Sequence, residues 1–236
     1  MTSDLSGYDI HYYPTGATDI SSGAVAPWML SLENTINGND PGNKPMYVEE
    51  VGWKYGWDST NDAQPHVSDY TYGLNMAAMG IQLACDGASA PMASRLADLG
   101  SPKVWGMYDG AGGDTSLRPW SYSWTMLTQA FPKDATLYKP TQPTSVFTML
   151  GSIGSGSSRH WSIAVANLTS NTSTQTFTLP NSAGRTLHAY RYVDGTRATN
   201  SDGFPASTDT VTAASNGDVT VSVAADSMLL LSDIDG

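Results

Sequence analysis

The chain has 236 residues, and its 22 acidic side chains outnumber 11 basic ones, for a formal net charge of −11. That balance repels nucleic acid and anionic membrane surfaces, so neither is expected as a partner. The lone cysteine, Cys85, excludes an internal disulfide, and no apolar run is long enough to read as a transmembrane helix.

The first predicted strand is Tyr8-Asp9-Ile10-His11-Tyr12-Tyr13-Pro14, in which period-two alternation puts His11 and Tyr13 on one face. Gly23 to Asn37 carries Val25, Trp28, Met29, Leu32 and Ile36 at helical spacing. A second strand follows in Lys44-Pro45-Met46-Tyr47-Val48-Glu49-Glu50-Val51-Gly52-Trp53. Only one other glutamate, Glu33, occurs in the chain. Glutamate is a poor strand residue, so a strand closing on two of them calls for a reason. Alternation places Glu50 with Val48 and turns Glu49 the other way. Strand, helix and strand joined by short loops are the unit of a parallel α/β fold.

These segments resemble the second half of a retaining glycoside hydrolase of the large (β/α)8-barrel clan that includes cellulase-, xylosidase- and arabinofuranosidase-like families. In that clan the sixth strand often carries His-x-Tyr followed by Pro, matched by His11-Tyr12-Tyr13-Pro14. The seventh ends on the catalytic nucleophile in patterns like Glu-x-Gly-Trp, matched by Glu50-Val51-Gly52-Trp53. Val67 to Cys85 then reads as the seventh helix and Gly87 to Asp98 as the eighth strand. Where the clan often shows Trp-x-Leu-x-Asp, this chain has Ser94-Arg95-Leu96-Ala97-Asp98, so the usual sugar-stacking tryptophan is missing. Trp105, in Val104-Trp105-Gly106-Met107-Tyr108-Asp109, offers aromatic surface instead. A last helix opens at Arg118 and runs to about Phe131. Trp28, Trp120 and Trp124 keep helical spacing and read as core; Asp98 and Asp109 read as loop structure.

The composition changes at Lys139-Pro140-Thr141-Gln142-Pro143. Beyond it, short alternating strands recur at Ser145–Leu150, Arg159–Leu168, Thr174–Leu179, Thr186–Val193, Asp209–Thr212, Asp218–Val223 and Ser227–Leu231, the spacing of a sandwich. Trp161, Ile163 and Val165 point inward together, as do Val219, Val221 and Val223. The expected architecture is therefore α/β plus all-β: an incomplete (β/α)8 TIM barrel, about strands 6 to 8 with their helices, over 1–138, a linker at 139–143, and an antiparallel β-sandwich over 144–236. Asn167-Leu168-Thr169 and Asn171-Thr172-Ser173 fit the glycosylation pattern.

A complete barrel takes about 250 residues, and three parallel strands cannot close one. The chain is accordingly expected to be the C-terminal part of a larger enzyme whose N-terminal barrel half is its missing partner. What the resemblance implies is retaining hydrolysis of O-glycosidic bonds in a polysaccharide or oligosaccharide, with Glu50 as nucleophile and His11, Tyr13, Trp53 and Trp105 binding substrate. The clan's acid/base glutamate follows asparagine at the end of the fourth strand; no Asn-Glu pair occurs here, so this chain alone is expected to be inactive. No metal or cofactor is expected: the sequence has no HExxH, phosphate loop or Gly-x-Ser-x-Gly elbow. Acidic, Ser/Thr/Asn/Gly-rich composition suits a secreted polysaccharide-degrading protein. A non-catalytic carbohydrate-binding protein and a structural cell-surface protein are the alternatives.

Overall fold

A computed structural model of the chain describes residues 5–40, 42, 44–100, 103–109 and 116–234. The chain forms two compact units, Met1–Ser121 and Tyr122–Gly236.

In the first unit, β1 (Tyr8–Tyr12), α1 (Val25–Asn39), β2 (Met46–Val51), α2 (Tyr70–Cys85) and β3 (Ala88–Ala93) alternate in chain order. The three strands form one parallel sheet in the order β1-β2-β3. Pro27 lies in the first turn of α1, where its missing N–H is no loss. The helix buries Val25 and Met29, one turn apart, and Trp28 packs its ring on Tyr12 at 4.1 Å. α2 is buried almost all round from Tyr72 to Leu83, which explains its run of Ala, Gly and Met. Pro91 stands in β3 opposite Val48; a strand at the sheet edge tolerates its missing donor. The predicted boundaries of these five elements hold within a few residues, except that β3 stops at Ala93 rather than running to Asp98.

β2 departs from regular alternation. His11 pairs with Glu50 although Ile10 pairs with Val48, so the register slips by one residue at Glu49. Against β3, Val48 pairs with Pro91 and Val51 with Ala93. Three steps along β2 there match two along its neighbour. Both neighbours therefore see the same extra residue, which defines a β-bulge. Burial follows: Met46, Val48 and Val51 are buried, Tyr47 and Glu49 exposed, Glu50 half-buried. The expectation that Glu50 shares a face with Val48 by simple alternation is thus corrected: the bulge re-aims Glu50.

α3 (Pro119–Ala130) crosses from the first unit into the second. The second unit continues with β4 (Thr136–Tyr138), β5 (Val146–Ile153), β6 (His160–Asn167), β7 (Ser173–Thr178), β8 (Thr186–Tyr192), β9 (Asp209–Thr212), β10 (Asp218–Val223) and β11 (Ser227–Ser232). A six-stranded sheet runs β4-β5-β6-β11-β8-β9 and a two-stranded one pairs β10 with β7; all their pairings are antiparallel. One core lies between them, with Trp161, Ile163 and Val165 of β6, Leu229 and Leu231 of β11, Phe177 of β7, and Val219, Val221 and Val223 of β10. The inward triads expected from alternation are those found. β6 and β11 are buried on their other residues too, as central strands covered on both faces are. On that second face Tyr122 of α3 stacks near Tyr192 at 6.2 Å, and Ser162 Oγ donates to the Ala130 carbonyl at 2.7 Å. Among the described residues from Thr144 on there is no α-helix.

The division between units falls inside α3, ahead of the composition change at 139–143. The body of α3 covers the large sheet, and β4, unforeseen in the sequence, already pairs with β5 across Leu137 and Gly151. At Gly151 a Cβ would lie 2.6 Å from the Phe131 ring, so a bare backbone is needed there. The first glycosylation match is overturned: Asn167 is fully buried, and its Nδ2 donates to the carbonyls of Asn171, Val223 and Ala224 at 2.8, 3.1 and 2.9 Å. It staples two strand ends.

Candidate active site

The site lies at the carboxyl ends of β1 and β2. Tyr13 follows β1, and the ladder continues past both strands: Gly52 N–H donates to the Tyr12 carbonyl at 3.2 Å and Lys54 N–H to the Pro14 carbonyl at 2.8 Å. Ser94 N–H joins Val51 at 2.9 Å, drawing the end of β3 alongside.

Glu50 is the centre. The Tyr13 hydroxyl donates to Glu50 Oε2 at 2.8 Å, and His11 Nδ1 lies 3.4 Å from the same oxygen. The side chains of His11 and Glu50 are 52 % and 41 % exposed, so the carboxylate is held from one side and open on another. Burial first of all, then the Glu50 acceptor and its charge, push the Tyr13 phenol up to about 12; the Ser94 hydroxyl and the Arg95 charge offset part of this. Tyr13 therefore stays a protonated donor throughout the neutral range.

The Glu-x-Gly-Trp glycine has a steric reason. A Cβ on Gly52 would meet Tyr13 Cε1 at 2.6 Å and Cδ1 at 3.0 Å, so the phenol ring rests on bare backbone. The Trp105 indole stands edge-on to Tyr13 at 5.7 Å and 84°. Trp105 is fixed in turn by Asp98, whose Oδ1 accepts the amides of Trp105 at 2.8 Å and Gly106 at 2.6 Å. Arg118 grips Asp98 with both guanidinium nitrogens at 2.9 and 2.6 Å and also donates to the carbonyls of Gly106 at 2.7 Å and Tyr108 at 3.1 Å. Burial alone would raise the Asp98 carboxyl; the Arg118 guanidinium and the two amides outweigh it and hold it below the usual carboxylate range.

The structure thus gathers His11, Tyr13, Glu50 and Trp105. Trp53 lies in a separate cluster, stacked on Tyr55 at 5.0 Å and tilted against Tyr72 at 6.1 Å. Trp53 and Trp105 are 5 % and 6 % exposed, and their indole N–H groups donate to the carbonyls of Gly16 at 3.2 Å and Asp62 at 2.9 Å. Glu33 belongs to α1 and packs against Gly87, at the start of β3. In a parallel sheet that is the end opposite to Glu50. Ser94, Lys54 and the Asp98–Arg118 pair went unrecognised in the sequence; the run Gly52-Trp53-Lys54 marked only the first two as special. Among the described residues no group of three or more His, Cys, Asp or Glu side chains could hold a metal ion, and no helix is long and apolar enough to cross a membrane.

No protein-family model and no curated protein matches the chain. Solved structures do. Similar to it are a GH30 endoxylanase from Clostridium papyrosolvens C71 (TM-score 0.64, 13 % identity, all of this chain and 50 % of that one); an α-L-arabinofuranosidase from Thermotoga maritima (0.66, 10 %, 97 % and 52 %); and a GH51 arabinofuranosidase from Xanthomonas axonopodis pv. citri (0.65, 15 %, 97 % and 52 %). The chain spans about half the length of these enzymes. At such identities the likeness is one of fold: a mixed α/β chain similar to the C-terminal part of glycoside hydrolases, as the sequence motifs implied.

Proposed function

We propose that this chain carries the nucleophile half of a retaining glycosidase: an incomplete (β/α)8 barrel followed by a β-sandwich that begins within α3 and includes β4. The substrate is a secreted enzyme's polysaccharide or oligosaccharide. The reading rests on one observation above all. Glu50 sits on a bulge at the carboxyl end of a parallel strand, half-open, with a protonated phenol 2.8 Å from its Oε2. Barrel enzymes place their chemistry at that end.

In this mechanism Glu50 attacks the anomeric carbon, the C–O bond to the leaving group breaks, and a glycosyl-enzyme forms. Tyr13 aims the attacking carboxylate. It keeps the lone pair of Oε2 directed while the other oxygen reacts. His11, beside the same oxygen and open to solvent, contacts sugar hydroxyls. The sugar-binding role expected of Trp53 and Trp105 is reassigned: Trp105 supports Tyr13 and Trp53 packs the loop after β2, because neither ring offers an open face. The acid/base carboxylate comes from an upstream barrel half. Glu33, at the wrong end of the sheet, does not supply it.

Two measurements test this. The chain joined to the upstream half is treated with an activated 2-fluoro glycoside, and the trapped peptide is sequenced by mass spectrometry. The label is expected on Glu50; a label on Glu49 refutes the assignment. The 236-residue chain alone is expected to lack turnover on β-linked glycans, because acid–base assistance is worth about 10²–10⁴-fold. Robust turnover by that chain would overturn the half-site reading.

A further inference from the structure

Gln64 lies in the loop between β2 and α2 and is fully buried. Burying an amide is costly unless its polar atoms find partners, and here they do. Nε2 donates to the carbonyls of Trp53 at 2.5 Å and Tyr55 at 3.0 Å. Oε1 accepts the His66 N–H at 2.8 Å. All three partners are backbone groups of the same loop, and none belongs to a strand or helix. A methionine would fill a similar volume without desolvating an amide. The side chain is therefore placed for the path it gives the backbone rather than for packing.

These bonds lead toward Glu50 along two routes. The Trp53 carbonyl follows directly on Gly52, whose bare Cα carries the Tyr13 ring: a Cβ there would stand 2.6 Å from Tyr13 Cε1. The Gln64 backbone N–H donates to the Val104 carbonyl at 2.9 Å, one residue before Trp105. Trp105 returns the contact through its indole N–H, which donates to the Asp62 carbonyl at 2.9 Å, and stands edge-on to Tyr13 at 5.7 Å. The loops after β2 and β3 are thus joined at Gln64. Between them sits the phenol that donates to Glu50 Oε2 at 2.8 Å. The influence of Gln64 on the carboxylate runs through Tyr13.

We infer that Gln64 is a positioning residue for the attack by Glu50: it locks the loops after β2 and β3 around the Tyr13 ring and so fixes the direction in which the carboxylate points. The inference rests on the glycosidase reading above and adds to it a residue that touches neither sugar nor nucleophile. Misplacement of a reacting group by about 1 Å can cost about 10²-fold in rate, so a loosened phenol should show in kcat. KM should hardly move, because no sugar contact is lost.

The test is Gln64→Met, alone and combined with Tyr13→Phe, in the chain joined to its upstream half, with turnover counted per folded molecule. Gln64→Met alone should lower kcat roughly 10- to 100-fold at nearly constant KM. Added to Tyr13→Phe it should cost less than about twofold, since the phenol through which it acts is gone. Equal losses in both backgrounds would make Gln64 a general stabiliser of the fold and overturn the inference. In the 236-residue chain the Tyr13 phenol, raised to about 12 chiefly by burial, should titrate nearer its ordinary value of about 10 in Gln64→Met. An unmoved titration overturns the inference as well. Gln64→Glu keeps the shape and the acceptor for His66, and it replaces Gln64→Met if that variant does not fold; failure of both to fold makes Gln64 purely structural and also overturns the inference. Glu50→Gln separates the two claims. If it turns over like the unaltered chain, the glycosidase reading falls; if it is inactive while the double-variant result fails, only the role of Gln64 falls.

Discussion

The two units of this molecule bury their side chains differently. The antiparallel unit closes a core between its own two sheets, with Ile163, Val165, Leu187, Val219 and Leu231 at or near zero exposure. The parallel sheet leaves Asp9, His11, Tyr47 and Glu49 exposed along β1 and β2, and among the described residues both edge strands, β1 and β3, have a strand partner on one side alone. A sheet that buries both faces and covers its centre can stand on hydrophobic area alone. The three-stranded sheet spends residues that could be apolar on a half-open carboxylate, a histidine and a hydrogen-bonded phenol. Chemistry sits where burial is incomplete.

The contrast breaks most sharply on substitution of Glu50. Glu50→Gln keeps shape and size and removes the nucleophilic charge. In the chain joined to its upstream half, turnover should fall roughly 10⁴-fold or more with the melting temperature unchanged. Leu231→Ala does the converse: a fully buried leucine is replaced by a cavity, costing about 2–5 kcal/mol, while turnover per folded molecule stays. If Glu50→Gln unfolds the protein, the open carboxylate is structural and the assignment fails.

Next in size is the buried ion pair beneath the site. Asp98→Ala strands the Arg118 guanidinium, which is 5 % exposed, and removes the acceptor of two backbone amides. Loss of one partner of a buried pair costs about 3–5 kcal/mol. The fall in thermal stability is expected to come with a loss of Trp105 order, read from its indole resonance. Asp109→Ala, whose carboxylate lies 3.5 Å from Arg118 on the exposed side, should cost less than about 1 kcal/mol.

Much of this was legible in the sequence, and the exceptions have physical causes. Strong alternation announced all seven strands from β5 to β11, and helical spacing announced α1 and α2. β4 escaped because all three of its residues are exposed, so it has no alternation to detect. Alternation puts Glu50 on the side of His11 and Tyr13, which is where it lies; it also puts Glu50 on the face of Val48, which the bulge at Glu49 breaks. A bulge is a question of register between strands, which periodicity within one strand does not report. Trp53 and Trp105 looked like surface rings because they sit in glycine-rich loops, yet those loops fold over them; at Gly106 a Cβ would lie 2.5 Å from the Ala97 and Asp98 backbone. Asp98 and Arg118 stand 20 positions apart in sequence, and nothing local ties them together.

Gly52 offers a finer test of how the open sheet holds its site. Gly52→Ala forces the Tyr13 ring away by its close approach, at about 1–3 kcal/mol of overpacking. Tyr13→Phe removes the bond to Glu50 without crowding, and a bond to a charged group is worth about 1.5–3 kcal/mol. Each should lower turnover about 10- to 100-fold. Because both act through the same phenol, the double variant should be scarcely worse than either single one. Additive losses would mean that Gly52 serves something other than Tyr13.

The smallest effect is the alkaline limb of stability. Tyr12 and Tyr13 are both raised to about 12, each chiefly by burial, whereas in the unfolded chain a phenol titrates near 10. Between those values the native state holds protons that the unfolded state has released. The stabilising contribution is therefore complete below about pH 10 and drains away as pH climbs through about 12. Denaturant unfolding at pH 9 and at pH 11.5 should show a loss of stability across that interval, accompanied by late phenolate absorbance. In Tyr13→Phe the loss should be smaller by the share of one phenol, with the Tyr12 share remaining. Tyr13 is half-buried, so solvent screening keeps that share modest. An alkaline loss identical in Tyr13→Phe and the unaltered chain would mean that Tyr13 ionises freely, and then it would not hold Glu50 as a fixed donor.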